Sequence, residues 1–232
     1  VLLTDGYLGN GAEPWRIPEI DSLEPIDCDI ARPDESGAPF LPYDRDPETL
    51  ARKWAIPGTK GLEHRIGGLE KQDKTGNVDY DPANHEFMSH LRAEKVKRIQ
   101  ADIDDIEVYG DPDGVGIISW GSTYGAIRTG VDEARKAGAK VGHVHLRWLN
   151  PLPIDDIVEQ AKATGKVLVV DECRETGGMA EAVMTALVEH CPEITMKRVT
   201  GIDTYIPLGA AANLVLVSED QIKEAALEVA KS

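Results

Sequence analysis

From Asp111-Pro-Asp-Gly114 onward the chain alternates between strand-length apolar runs and helix-length amphipathic stretches, and that alternation leaves few folds open. Strand patterns occupy Val115 to Trp120, Lys140 to Leu146, Lys166 to Asp171 and Ile194 to Val199, with Leu214 to Val217 a further short candidate. Between and after them, Thr123 to Ala137, Ile154 to Ala163, Gly178 to His190 and Glu219 to Lys231 space their apolar residues as helices do. Short glycine-bearing joints, such as Ala137-Gly138-Ala139-Lys140 and Thr164-Gly165-Lys166, imply right-handed crossovers. The expected fold of 111–232 is therefore α/β, a mainly parallel sheet with helices on both faces.

Upstream of this region the chain behaves differently. Pro18, Pro25, Pro33, Pro39, Pro42, Pro47 and Pro57 interrupt a stretch rich in Asp and Glu that has no sustained period of either strand or helix. Proline removes a backbone donor and bars its predecessor from helix, so the sequence predicts an extended ordered loop or a linker. Trp15, Phe40, Tyr43 and Trp54 are anchors that disordered segments lack. We expect an arm laid over another domain or subunit. Asp81-Pro82 is a helix-start signal, and Phe87, Met88, Leu91, Val96 and Ile99 predict an amphipathic helix near 82–101. The opening Val1-Leu-Leu-Thr4, running straight into Asp5-Gly6, reads as the last strand of a domain cut off upstream, so a fragment of a longer polypeptide is expected.

Charge and cysteine usage exclude several partner classes. With 41 acidic against 25 basic residues the net charge is −16, which repels nucleic acid and anionic membrane surfaces. No apolar run approaches the roughly 20 residues that span a bilayer, and a cytoplasmic setting is expected. Cys28, Cys173 and Cys191 are too few and too scattered for a disulfide framework, a zinc knuckle or an iron–sulfur cluster.

Ser119-Trp-Gly-Ser-Thr123 falls where the first strand pattern meets the first helix, the edge at which open α/β sheets place ligands and at which helix N–H groups attract anions. Ser122 and Thr123 either cap that helix or meet a phosphate or carboxylate. Asp171-Glu-Cys-Arg-Glu175 follows the third strand pattern as a run of polar residues expected at the exposed domain edge, with Gly177-Gly178 allowing close backbone approach. His143 and His145 alternate along one strand and so share a face, but no third ligand accompanies them and no metal is assigned.

Two blocks carry family resemblances. Val170-Asp-Glu-Cys-Arg-Glu-Thr-Gly-Gly178 with Thr200-Gly-Ile-Asp-Thr-Tyr-Ile-Pro-Leu-Gly209 resembles the C-terminal domain of the transketolase-like thiamine-diphosphate enzymes, and residues from about 164 to 232 look most like the beta chains of lipoate-linked 2-oxoacid dehydrogenases. Asp5-Gly-Tyr-Leu-Gly-Asn-Gly-Ala-Glu-Pro-Trp15, Arg45-Asp-Pro-Glu-Thr-Leu50 and Gly61-Leu-Glu-His-Arg65 resemble the alpha subunit of 2-oxoacid:ferredoxin oxidoreductases of the 2-oxoglutarate type.

The resemblances imply three segments: residues 1–17 ending a pyrimidine-binding-type domain, 18–110 an arm with its helix, and 111–232 a transketolase C-terminal-like domain. They imply oxidative decarboxylation of a 2-oxoacid such as 2-oxoglutarate to an acyl-CoA with electrons passing to ferredoxin. Thiamine diphosphate and Mg²⁺ would be held mainly outside this segment, because its Gly-Asp-Gly…Asn motif is missing here, and the iron–sulfur cluster would sit elsewhere. Partners would be a catalytic diphosphate-binding subunit or domain, further copies in an oligomer, and ferredoxin or a lipoyl carrier. His64, Arg65 and His85 match the oxidoreductase pattern and either bind a substrate carboxylate or pair on the surface. The loop with Asp171, Glu172, Arg174, Gly177 and Gly178, together with Trp15 and Trp54, is implied to face another chain. No catalytic residue is assigned, and the isolated piece is expected to be inactive. A beta-chain portion of a lipoate-linked dehydrogenase and a non-catalytic α/β interaction module are the alternatives.

Overall fold

The computed structural model describes residues 16–232, which divide into two compact units, Ile103–Ser232 and, within Pro14–Asp102, residues 16–102. Trp15 and the block before it lie outside the described residues.

The larger unit is built on five strands: β1 (Val108–Gly110), β2 (Val115–Trp120), β3 (Val141–Leu146), β4 (Lys166–Arg174) and β5 (Thr195–Gly201). Their spatial order is β1-β3-β2-β4-β5, parallel throughout except that β1 pairs antiparallel with β3. Strand β4 shows why these runs read as continuously apolar. Leu168 and Val170 enter the core on one face and Val167 and Val169 the core on the other, so period-two alternation places apolar side chains on both sides.

Four helices cover the sheet. For α2 (Tyr124–Lys136), Ile127, Gly130, Val131 and Ala134 form a buried stripe at helical spacing. It packs on α5 (Glu219–Lys231), whose stripe is Ile222, Ala225, Ala226 and Val229. Gly130 is required here, since a Cβ would lie 2.9 Å from Ile222 Cγ2. Ser218 and Gln221 close a reciprocal cap at the start of α5. The opposite core holds α3 (Ile154–Thr164), through Ile157 and Ala161, and α4 (Met179–His190), through Ala180, Val183 and Leu187. Each fully buried Ile or Leu in these layers contributes about 1.5–3 kcal/mol.

Three local expectations are corrected. Leu214 to Val217 forms no strand, because Gly209–Leu214 is a 3-10 turn and both Val215 and Leu216 donate their N–H to Ala212 O at 3.1 Å, leaving none for a ladder. Strand β4 runs past Asp171 to Arg174, which pairs with Gly201 across a register shift. The short edge strand β1 precedes the first strand pattern read from sequence.

In residues 16–102 the prolines have their expected effect. Isolated bridges, Ile30 with Trp54, Tyr43 with Lys74, Arg45 with Arg52 and Lys71 with Val78, tie the chain where regular ladders do not form. The helix α1 (Pro82–Arg98) starts as its sequence dictates, with the Asp81 carboxylate accepting from Ala83 N at 2.7 Å. Its last turn tightens into a 3-10 stretch, Ile99–Asp102. The apolar stripe is thinner than predicted: Met88 is the buried residue of α1, while Phe87 and Ile99 are exposed.

Candidate functional site

The strand order makes the crevice between the carboxyl ends of β2 and β4 the place where connections diverge, β2 leading outward to β3 and β4 to β5. In open α/β sheets that crevice is the usual ligand position. Here its two walls are bonded to each other. Gly121 turns the chain with φ 62°, and the Ser122 hydroxyl donates to Glu172 Oε2. Thr123 is buried and donates to Trp120 O at 2.6 Å, leaving α2 without a side-chain cap. A carboxylate at the mouth opposes a phosphate or second carboxylate there.

The 171–178 segment divides into an inside and an outside. Asp171 is 1% exposed; its carboxylate accepts Cys173 N at 2.9 Å and Ala180 N at 3.0 Å, fixing the start of α4. This corrects the expectation of an exposed, interfacial Asp171, because these two buried donors need an acceptor. Gly178 fits against it, since a Cβ would stand 2.9 Å from Arg174 O. Arg174 and Gly177 are exposed, and Arg174 Nε donates to Thr176 O at 2.9 Å. Thr176 in turn donates its N–H and hydroxyl to Asp203 at 2.9 and 2.6 Å, bonds that lower the Asp203 carboxyl below its ordinary range. Asp203 thereby ties this turn to the next, which carries the most exposed large apolar side chains of the unit: Tyr205 at 96% and Leu208 at 95%, with Ile202, Ile206 and Leu214 also exposed. Contiguous exposed apolar groups of this kind mark interaction surfaces.

A third feature lies over β3. Ser119 Oγ is 2.8 Å from His143 Nε2 and 3.3 Å from His145 Nδ1, so the hydroxyl can donate to one ring and accept an N–H from the other. Tyr124 packs at 4.9 Å from His145, and a cleft of about 450 Å³ opens beside the pair toward Arg128, Arg147 and Trp148. Burial, then the neighbouring His145 and Arg128, pushes His143 down to about 4, and burial lowers His145 as well. Both rings are neutral at pH 7. Sequence reading paired the two histidines by their alternation but missed Ser119. Its signal is a register one: Ser119 stands opposite His145 across β2 and β3.

The remaining candidates belong to residues 16–102. His64 Nδ1 lies 2.8 Å from Leu62 O and its ring meets Phe40 edge-on. Arg65 is exposed. His85 Nδ1 is 2.7 Å from Glu70 Oε2, and Arg92 forks onto the same carboxylate at 3.0 and 3.3 Å. The Arg92 and His85 bonds hold the Glu70 carboxyl at about 2. Trp54 is 68% exposed although its backbone is bridged to Asp29 and Ala31. Among the described residues no three His, Cys, Asp or Glu side chains are grouped to hold a metal ion, and no helix is long and apolar enough to cross a membrane.

A parallel sheet with one antiparallel edge strand, helices on both faces and an apolar, bonded turn at its carboxyl edge defines the class to which known proteins can be compared. Residues 105–222 match the transketolase C-terminal domain, and the chain belongs to that family. Over 156 residues it is 51% identical to a Mycobacterium tuberculosis protein named 2-oxoglutarate oxidoreductase subunit KorA, covering 66% of this chain and 23% of that protein. It is 30% identical over 130 residues to a Staphylococcus aureus pyruvate dehydrogenase E1 component subunit beta, covering 55% of this chain and 40% of the relative. The chain thus spans less than half the length of either relative. In structure it matches a 2-oxoglutarate:ferredoxin oxidoreductase from Magnetococcus marinus with TM-score 0.68 over 91% of this chain and 34% of that one; at 23% identity this likeness concerns the fold. Both resemblances read from the sequence, to the oxidoreductases and to the dehydrogenase beta chains, are present in these matches.

Proposed function

We propose that this chain is part of one subunit of a 2-oxoacid oxidoreductase that converts a 2-oxoacid of the 2-oxoglutarate class to an acyl-CoA with electrons passing to ferredoxin, and that its own share of the work is assembly. The single observation that carries this reading is the 51% identity to a 2-oxoglutarate oxidoreductase subunit across 156 residues. The domain plan that goes with it is a pyrimidine-binding-type end at 1–17, an arm at 18–110 and the transketolase C-terminal-like domain at 111–232, with 103–110, which carry β1, moved from the arm to the sheet-bearing unit.

Thiamine diphosphate with Mg²⁺ would supply the decarboxylation chemistry. Among the described residues no three acidic, His or Cys side chains are grouped to hold Mg²⁺, and the Gly-Asp-Gly…Asn motif is missing from the sequence, so this reading assigns the cofactor to a partner chain or domain. What the sheet-bearing unit offers is a docking face, Tyr205, Ile206 and Leu208 on the turn after β5 with the exposed Arg174 and Gly177; within residues 16–102, Trp54 is an exposed anchor of its own. Large aromatic and aliphatic side chains left in water are the usual anchors of an interface.

Similarity to a pyruvate dehydrogenase beta subunit favours a second reading, with a lipoyl carrier as acceptor. It covers less of the chain at lower identity. Co-expression with the chain that carries the diphosphate motif, followed by assay with ferredoxin and with lipoamide, separates the two. Ferredoxin reduction that depends on 2-oxoglutarate and coenzyme A supports the proposal, and lipoamide reduction alone overturns it.

A further inference from the structure

The concentration of positive charge in the smaller unit is out of keeping with a chain of net charge −16. A cavity of about 600 Å³ is lined by Arg45, Arg52, Lys71, Arg92 and Lys95 against one carboxylate, Glu70. These side chains come from three separate stretches of sequence, so no local run of basic residues accounts for the cluster. Their existing partners leave most of the charge uncompensated. Arg92 alone forks onto Glu70. Arg45 spends Nη1 on Leu50 O at 2.9 Å, and its Nε is buried with no hydrogen-bond partner among the described residues. Arg52 reaches only a carbonyl, Pro42 O at 3.4 Å, and lies 4.2 Å over the Tyr43 ring. Lys71 Nζ donates to Gly67 O and Leu69 O. Lys95 forms no ion pair with a described residue.

Lys71 is buried and Arg45 and Lys95 are partly buried, while Arg52 and Arg92 are exposed at the rim, so like charges converge on a cavity open to solvent. At Arg45 burial, then the charge of Arg52, weighs against the ionised form, and the nearby Asp73 offsets part of this. The buried Arg45 N–H without an acceptor is a further destabilising feature of the cluster. The geometry also selects the ligand. A monocarboxylate would satisfy one guanidinium, as Glu70 already does for Arg92; a group with three acceptor oxygens and nearly two negative charges can engage Arg45, Arg52 and Lys95 together.

We infer that the cavity bounded by Arg45, Arg52, Arg92 and Lys95 is a binding site for the phosphate or diphosphate group of a small molecule. It lies wholly within residues 16–102. The site does not depend on the 2-oxoacid reading, because it rests on the arrangement of these side chains alone.

The test titrates the full chain by calorimetry at low ionic strength with inorganic pyrophosphate, with ADP, and with citrate as a polycarboxylate control. Pyrophosphate is expected to bind at least about tenfold more tightly than citrate, and Arg52→Gln with Lys95→Gln to weaken it by about tenfold or more. Lys95 holds no ion pair with a described residue, so Lys95→Gln alone should leave the unfolding transition unchanged and still weaken binding, whereas Arg52→Gln also removes the contacts with Pro42 O and Tyr43. Arg45→Lys, which keeps the charge and removes the fork, should also weaken binding. ADP binding as tightly as pyrophosphate identifies a phosphate ester as the source; pyrophosphate alone identifies a free inorganic anion. Absence of binding at about 10 mM pyrophosphate, equal binding of citrate, or unaltered affinity in the double variant would overturn the inference.

Discussion

Replacing His143 by Gln should remove about 2 kcal/mol of the acid sensitivity of the sheet-bearing unit between pH 7.5 and 5. The His143 ring is 1% exposed, and its Nε2 lies 2.8 Å from Ser119 Oγ. Its folded pKa of about 4 lies below the ordinary 6.5, so the folded protein resists a proton that the unfolded chain accepts. The stabilisation is complete above pH 6.5 and is lost as pH falls toward 4. The difference of about 2.5 units is worth roughly 3 kcal/mol, of which about 2 kcal/mol falls between pH 7.5 and 5. A Gln amide reaches the Ser119 hydroxyl from a position near Nε2 but cannot titrate. Its packing cost shifts the whole curve, whereas the pH dependence changes only through the lost proton site. Urea unfolding followed by far-UV circular dichroism at intervals from pH 7.5 to 5 measures both. The parent should lose about 2 kcal/mol more than His143→Gln over that range. Parallel curves for the two proteins would refute the reasoning, as would a His143 ring resonance that titrates near pH 6.5.

Asp171→Asn should destabilise the same unit by about 1–3 kcal/mol, measured in urea at pH 7.5, because one buried backbone N–H of the pair at Cys173 and Ala180 then faces an amide donor. In the smaller unit Glu70 has a folded pKa depressed to about 2 from 4.5, so its contribution is complete above pH 4.5 and is lost as pH falls through 2; Glu70→Gln should abolish that part of the acid transition, seen as a flatter pH dependence of thermal unfolding. Tyr205→Ser and Leu208→Ser should leave unfolding unchanged while weakening association with the partner chain by about 2 kcal/mol each, and Trp54→Ala should do the same, as read by calorimetric titration.

What the sequence reveals is what repeats locally. Val115 to Trp120 and the stripe Ile127, Val131, Ala134 declare their conformation through spacing alone, and Asp81-Pro82 declares a helix start. Strand β1 is three residues long and owes its existence to β3, so no periodicity reports it. Asp171 looks like the first member of an exposed polar run, and only the return of α4 to its carboxylate buries it. Ser119 meets His143 because β2 and β3 are neighbours, a fact of strand order rather than of composition. The cationic cavity is the extreme case. Arg45, Arg52, Arg92 and Lys95 converge through a proline-rich fold whose path follows isolated bridges, which leave no pattern to read. The Thr200–Gly209 motif is legible as a family mark, while its exposure is a property of the folded surface.

The central claim is that this chain completes a 2-oxoacid oxidoreductase without holding its cofactor. The direct measurement is 2-oxoglutarate- and coenzyme A-dependent ferredoxin reduction, assayed with the diphosphate-binding partner assembled with the subunit that contains this segment and with that subunit truncated to lack it. Activity and co-elution with the intact subunit, both lost on truncation, together with no turnover by this chain alone, are the predicted result. Full activity of the truncated assembly, or turnover by the isolated chain with thiamine diphosphate and Mg²⁺, would contradict it.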